Sequence, residues 1–190
     1  MEKKLQKGFT LIEFICITSI VSILLFGVQY AHNIFKERVL ITEATIKIVK
    51  NFNSYRDLAY YKEKSFNVEI NGREKRLIFK LGTSEIERVE LPKKLRYRIS
   101  VERSFDRLNT WVTRDGNLGH SFSIYIFGKS NLAKYRISFY TFSKLKYLSV
   151  NIYKNISAKE AIYENILQYH QTQNAINHIG WKKEWTWKSS

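Results

Sequence analysis

Phe9-Thr10-Leu11-Ile12-Glu13-Phe14-Ile15-Cys16-Ile17-Thr18-Ser19-Ile20-Val21-Ser22-Ile23-Leu24-Leu25-Phe26-Gly27-Val28 carries a single formal charge, that of Glu13. As a helix rising ~1.5 Å per residue it reaches ~30 Å, the thickness of a bilayer's hydrocarbon core. Lys3, Lys4 and Lys7 precede it against Glu2 alone. That bias predicts a cytoplasmic N-terminus and an exported remainder. Signal-peptidase cleavage wants small residues last and third-last before the cut. Ala31 with Gln29, or Gly27 with Leu25, fits this badly, and Glu13-Phe14-Ile15 is the wrong lead-in to Cys16 for a lipoprotein. The segment is expected to stay attached. Cys16 reads as a small apolar side chain facing lipid or a neighbour.

The helical pattern continues outward. From Gln29 to Lys62 there is neither proline nor glycine. Phe35, Val39, Thr42, Ile46, Val49 and Phe52 recur every three or four residues, and Ile34, Ile41, Ile48 and Tyr55 add a parallel stripe. One amphipathic helix from Phe9 to about Lys62, roughly 80 Å long, is predicted, with Gly27 its natural point of bending.

Beyond Tyr61 the period changes to two. Phe66–Ile70 and Arg76–Leu81 flank Asn71-Gly72, a strong hairpin signal. Leu95, Tyr97, Ile99 and Val101 alternate with Arg96, Arg98 and Ser100. Trp111-Val112 leads into Asp115-Gly116, and Phe122–Phe127 reads as a strand covered on both faces. Tyr135–Phe142 and Lys146–Tyr153 follow. Six or seven strands at this spacing make an antiparallel sheet or sandwich. Ser157-Ala158-Lys159-Glu160 has capping-box form and opens a predicted helix over 157–178, followed by a tail rich in tryptophan and lysine. The expected fold is α+β. A long N-terminal helix, membrane-spanning in its first half, packs on a C-terminal antiparallel sheet or sandwich with an extra C-terminal helix. The expected divisions are 1–8, 9–28, 29–62, 63–156 and 157–190.

Composition excludes several classes. The chain has 190 residues (22.6 kDa), 44% apolar and 15% aromatic, which is enough to bury a core. One proline and eight glycines rule out collagen-like and low-complexity chains, and one cysteine rules out an intramolecular disulfide framework. A formal charge of +15 and a pI near 9.8 point to anionic surroundings.

Gly8-Phe9-Thr10-Leu11-Ile12-Glu13, after a short basic leader and before an apolar run, resembles the type IV prepilin signal. The resemblance implies cleavage by prepilin peptidase between Gly8 and Phe9, N-methylation of Phe9, and a role for Glu13 in assembly. There its carboxylate would pair with a neighbouring subunit's N-terminal ammonium. Many pilins kink after the apolar run at a proline; here the only proline is Pro92. The order of long helix, hairpin, Val89-Glu90-Leu91-Pro92, then a strand into Asp115-Gly116-Asn117 and two strands is similar to the small minor pseudopilins of type II secretion and competence machinery. The similarity extends over about residues 9–153. It implies a filament subunit that starts in the cytoplasmic membrane, carries its domain outside and reaches the cell surface on assembly. The implied partners are prepilin peptidase, other pilin or pseudopilin subunits, an assembly ATPase and an inner-membrane platform protein.

No catalytic set emerges. His32, His120, His170 and His178 lie outside HExxH or Cys/His spacings, and there is no P-loop, Gly-x-Ser-x-Gly or GxGxxG. No cofactor is expected. Between Asp115 and Glu160 there is no acidic residue, while Lys129, Lys134, Arg136, Lys144 and Lys146 stand among tyrosines and phenylalanines. Basic grooves with aromatic platforms bind nucleic acid, so these residues are a candidate polyanion site. The ordinary reading is a solvated face near anionic lipid or wall polymer. The competing function is therefore a membrane-anchored DNA- or polyanion-binding protein.

Overall fold

A computed structural model of the chain describes residues 10–100, 106–141 and 149–187, the last three by backbone alone. Two compact units appear, one ending at Val39 and one from Leu40 onward. Helix α1 (Leu11–Lys62) runs unbroken through Gly27. It stops where Glu63 takes a left-handed φ of 51° and the Lys64 amide donates to the Ala59 carbonyl at 3.2 Å. That is a Schellman-type end with glutamate in the place glycine usually holds.

The buried face of α1 is centred on Ile41, Ala44, Ile48, Phe52, Tyr55 and Ala59. The two sequence stripes are thereby separated. Ile41, Ile48 and Tyr55 of the second face the core, whereas Phe35, Val39, Thr42 and Ile46 of the first are exposed and only Val49 and Phe52 turn inward. Ala44 and Ala59 explain the choice, because small side chains let the helix axis approach closely.

Among the described residues nine antiparallel strands follow: β1 (Phe66–Asn71), β2 (Arg76–Leu81), β3 (Ser84–Glu90), β4 (Arg96–Ser100), β5 (Arg107–Val112), β6 (Phe122–Phe127), β7 (Ala133–Tyr140), β8 (Ser149–Asn155) and β9 (Trp181–Trp187). They form two sheets, ordered β3-β2-β1-β5 and β4-β6-β7-β8-β9. Phe66, Val68, Ile70, Leu77 and Phe79 of the first sheet share one core with Tyr97, Ile99, Ile124, Ile137 and Phe139 of the second and with α1. β6 is buried along its whole length, as its unbroken apolar pattern implies. A second core lies against the other face of β6–β8, where Tyr125, Phe127 and Tyr153 meet Ile166, Tyr169, Ala175 and Trp181.

The expected first hairpin is present, whereas the readings of residues 157–190 need correction. The hairpin at Asn71-Gly72 forms, but as a four-residue loop closed by the Asn71–Arg76 pair. The Asn71 Oδ1 accepts from the Glu74 amide, Lys75 supplies the left-handed residue, and the Gly72 amide donates to the Asp106 carbonyl. The continuous helix over 157–178 is replaced by a loop and two short helices, α2 (Ile166–Gln171) and α3 (Gln173–Ile176). The amides that would start a helix are engaged elsewhere. Ala158 donates to the Asn155 Oδ1, Ile156 and Ser157 donate to the Gly180 carbonyl, and Tyr163 donates to the Asn131 carbonyl. The Trp/Lys-rich tail is not a separate appendage, since β9 pairs with β8 from Asn155–Trp181 to Val150–Trp187.

Candidate assembly helix and basic face

Gly8 and Phe9, the expected processing and methylation positions, lie outside the described residues. Thr10 and Glu13 are described and form a reciprocal capping box. The Glu13 Oε2 accepts from the Thr10 amide and hydroxyl, both at 2.8 Å, while the Thr10 Oγ1 accepts from the Glu13 amide at 3.3 Å. Within this chain the carboxylate is held at the positive end of its own helix, where a negative charge is favoured.

After Glu13 the helix is apolar on every side. Leu11, Ile12, Phe14, Ile20, Ile23, Leu24 and Phe26 are all exposed. α1 is the one helix among the described residues long and apolar enough to cross a membrane, and none of its apolar window is buried. A single apolar N-terminal helix attached to an α+β domain is the arrangement of a membrane-anchored protein. Its polar side chains suit hydrocarbon: the Thr18 hydroxyl donates to the Phe14 or Ile15 carbonyl and the Ser22 hydroxyl to that of Thr18. These two hydroxyls thereby donate within the helix and need no water from a bilayer. Cys16 is a free, exposed thiol on this segment.

Three of the five candidate basic residues are described, and they differ in exposure. Lys129 is exposed just after β6, Lys134 is half-buried on β7, and Lys144 and Lys146 lie outside the described residues. Arg136 must be withdrawn from a polyanion surface because it is only 2% exposed. The acid-free run also acquires an acid through the sheet: Glu184 on β9 accepts from the Tyr135 hydroxyl at 2.9 Å and lies 3.6 Å from the Lys154 ammonium.

Arg136 instead centres a cluster that sequence spacing did not reveal. Tyr125, Arg136 and Tyr153 are cross-strand neighbours on β6, β7 and β8, and they point to the face covered by α2 and α3. The Arg136 Nη1 donates to the Ala175 carbonyl at 3.0 Å, and Nη2 meets the His178 Nδ1. Its guanidinium lies 4.5 Å from the Tyr153 ring centre and 5.1 Å from that of Trp181. The Tyr125 hydroxyl and His170 Nδ1 share a 2.7 Å hydrogen bond, and the Trp181 indole donates to the Tyr169 hydroxyl. Burial, with the Arg136 charge adding to it, pushes the His170 imidazole down to about 4. The same two influences and Lys183 lower His178. Both rings are therefore neutral near pH 7.

This has a measurable consequence. With the folded value below the unfolded one, the unfolded chain takes up the proton first as the pH falls. Stability from His170 is complete above about pH 6.5 and is lost as the pH drops toward 4, by on the order of 3 kcal/mol. Urea unfolding of His170→Gln should show a shallower decline across that window than the parent. Parallel curves would show that His170 does not titrate this way.

No protein-family model, curated protein or solved structure matches the chain. Among the described residues no group of three or more His, Cys, Asp or Glu side chains is placed to hold a metal ion.

Proposed function

We propose that the chain is a minor pilin or pseudopilin, a structural subunit of a type IV pilus, type II secretion or competence filament. Prepilin peptidase cuts it after Gly8 and methylates Phe9. It waits in the cytoplasmic membrane with its β domain outside, and it enters a filament through α1. Neighbouring subunits, a motor ATPase and a platform protein act with it.

The observation that carries this reading is α1 itself. An exposed, predominantly apolar stretch has Glu13 in its first turn and continues as one helix whose later residues are buried in the β domain. A plain anchor needs no carboxylate in that turn, where burial in hydrocarbon costs on the order of 2.5–3.5 kcal/mol. A subunit does need it, since transfer of Glu13 from its own Thr10 to a neighbour's N-terminal ammonium would set axial register. The polyanion-receptor reading is weakened by the burial of Arg136.

The test is the intact mass and N-terminal sequence of the protein from host membranes. Loss of residues 1–8 with a methylated Phe9 is expected; an intact Met1 in the presence of the peptidase rejects the proposal. Glu13→Ala should still be cut and inserted, yet drop out of sheared filaments, because an unpartnered ammonium in a dry core costs on the order of 3–5 kcal/mol.

A further inference from the structure

The face of β6 and β7 beneath α2 and α3 holds a cavity of about 280 Å³ lined by Ser121, Ser123, Arg136, Ser138, His170 and His178. Its walls are unusual for a space between packed elements. A guanidinium stays charged at any pH a protein survives, and burying it without a counter-ion is costly. Arg136 is nine-tenths and more buried, its Nε–H has no acceptor, and no carboxylate lies within ion-pair distance of it among the described residues. The Ala175 carbonyl, the His178 Nδ1 and the Tyr153 and Trp181 rings are all neutral partners and offset only part of this charge.

The remaining described lining is uncharged, part of it hydroxyl-bearing (Ser121, Ser123, Ser138) and the larger part apolar (Phe122, Phe139, Ile176). Ser123 and Ser138 bond each other across the β6–β7 pair at 2.8 Å, and both line the cavity. With both imidazoles neutral, the described lining carries one net positive charge, that of Arg136. One negative charge balances it, whereas a phosphate monoester, at about −1.5 to −2, would overshoot. The volume is just below that of drug-sized pockets, which suits a molecule of monosaccharide size and not a polymer strand.

We propose that this cavity is a binding site for a small hydroxylated monocarboxylic acid, with Arg136 supplying the countercharge and Ser123 and Ser138 the hydroxyl contacts. The site lies entirely in the β domain and does not depend on the assembly role of α1.

The full-length chain in detergent micelles at pH 7 would be titrated calorimetrically with D-glucuronate, D-glucose and inorganic phosphate. Glucuronate is expected to bind and to raise the melting temperature, while glucose and phosphate do neither. Arg136→Met should weaken glucuronate binding by roughly 30-fold or more. If that variant does not fold, Ile176→Glu serves instead, since Ile176 lies at the cavity and is 55% exposed. It sets a rival carboxylate beside Arg136, so it should weaken binding comparably and raise the unliganded melting temperature. Absent glucuronate binding, equal binding of glucose, preference for phosphate, or unaltered affinity in Ile176→Glu would each overturn the proposal.

Discussion

Phe52→Ala is expected to lower the stability of the β domain by about 3–5 kcal/mol, a large share of the roughly 5–15 kcal/mol that folded domains commonly have. Phe52 is fully buried on α1 and touches both sheets at once. Its ring centre lies 5.7 Å from Phe79 in the first sheet, and 5.8 and 4.6 Å from Phe122 and Phe139 in the second. Phe79 is stacked on Tyr55 at 4.0 Å, and Phe122 on Phe139 at 4.6 Å. These rings are held by their own strands and cannot all move inward, so truncation leaves a cavity where helix and sheets meet. Phe35→Ala is the matched control. It removes the same ring from an exposed position on the same helix and should change stability by less than about 0.5 kcal/mol. Urea unfolding followed by near-ultraviolet circular dichroism separates the two, and similar midpoints would show that Phe52 does not hold the layers together.

Gly180→Ala should cost about 2–4 kcal/mol and loosen β9 from the sheet. Gly180 has φ +80°, where a side chain is strained, and a Cβ there would lie 2.5 Å from the Ala158 amide nitrogen and 2.8 Å from its Cα. These are backbone atoms that cannot rotate aside. The Gly180 carbonyl also receives the Ile156 and Ser157 amides, so any shift breaks the tie between the end of β8 and the start of β9. Hydrogen exchange should accelerate at Trp181 to Glu184 and in β8, with β1 and β2 unaffected. Unchanged protection of β8 would mean that β9 docks independently of this turn.

The positions these variants probe differ in how readable they were. The helix α1 was legible because its signal is local: a long run without proline or glycine, and apolar residues at helical spacing. Which stripe turned inward was not, because Phe35 and Ile48 are equally apolar and only the shape of the sheets, with Ala44 and Ala59 beneath them, distinguishes them. β3 escaped notice because Ser84–Glu90 is charged and mostly exposed, an edge strand held by pairing with β2 more than by burial. Ser157–Glu160 imitated a helix start, yet Asn155, Asn131 and Gly180 claim the amides such a helix would use. The cluster around Arg136 was hidden for a related reason. Arg136 reads as one cation in a basic run, and its partners His170, Ala175 and His178 are more than thirty residues away.

By itself, then, the sequence determined the elements whose causes are local. These are an apolar helix long enough for a bilayer, a carboxylate in its first turn, the change from helical to alternating period, and the turn at Asp115-Gly116, where Gly116 takes φ +75°. Only the tertiary structure decided which faces met, that the C-terminal tryptophan-rich segment closed the second sheet, and that a presumed surface arginine lay inside beside two neutral histidines. Hydrophobic period and backbone propensity act over a few residues. The pairing of distant strands and the burial of a charge depend on what the rest of the chain brings to the same place.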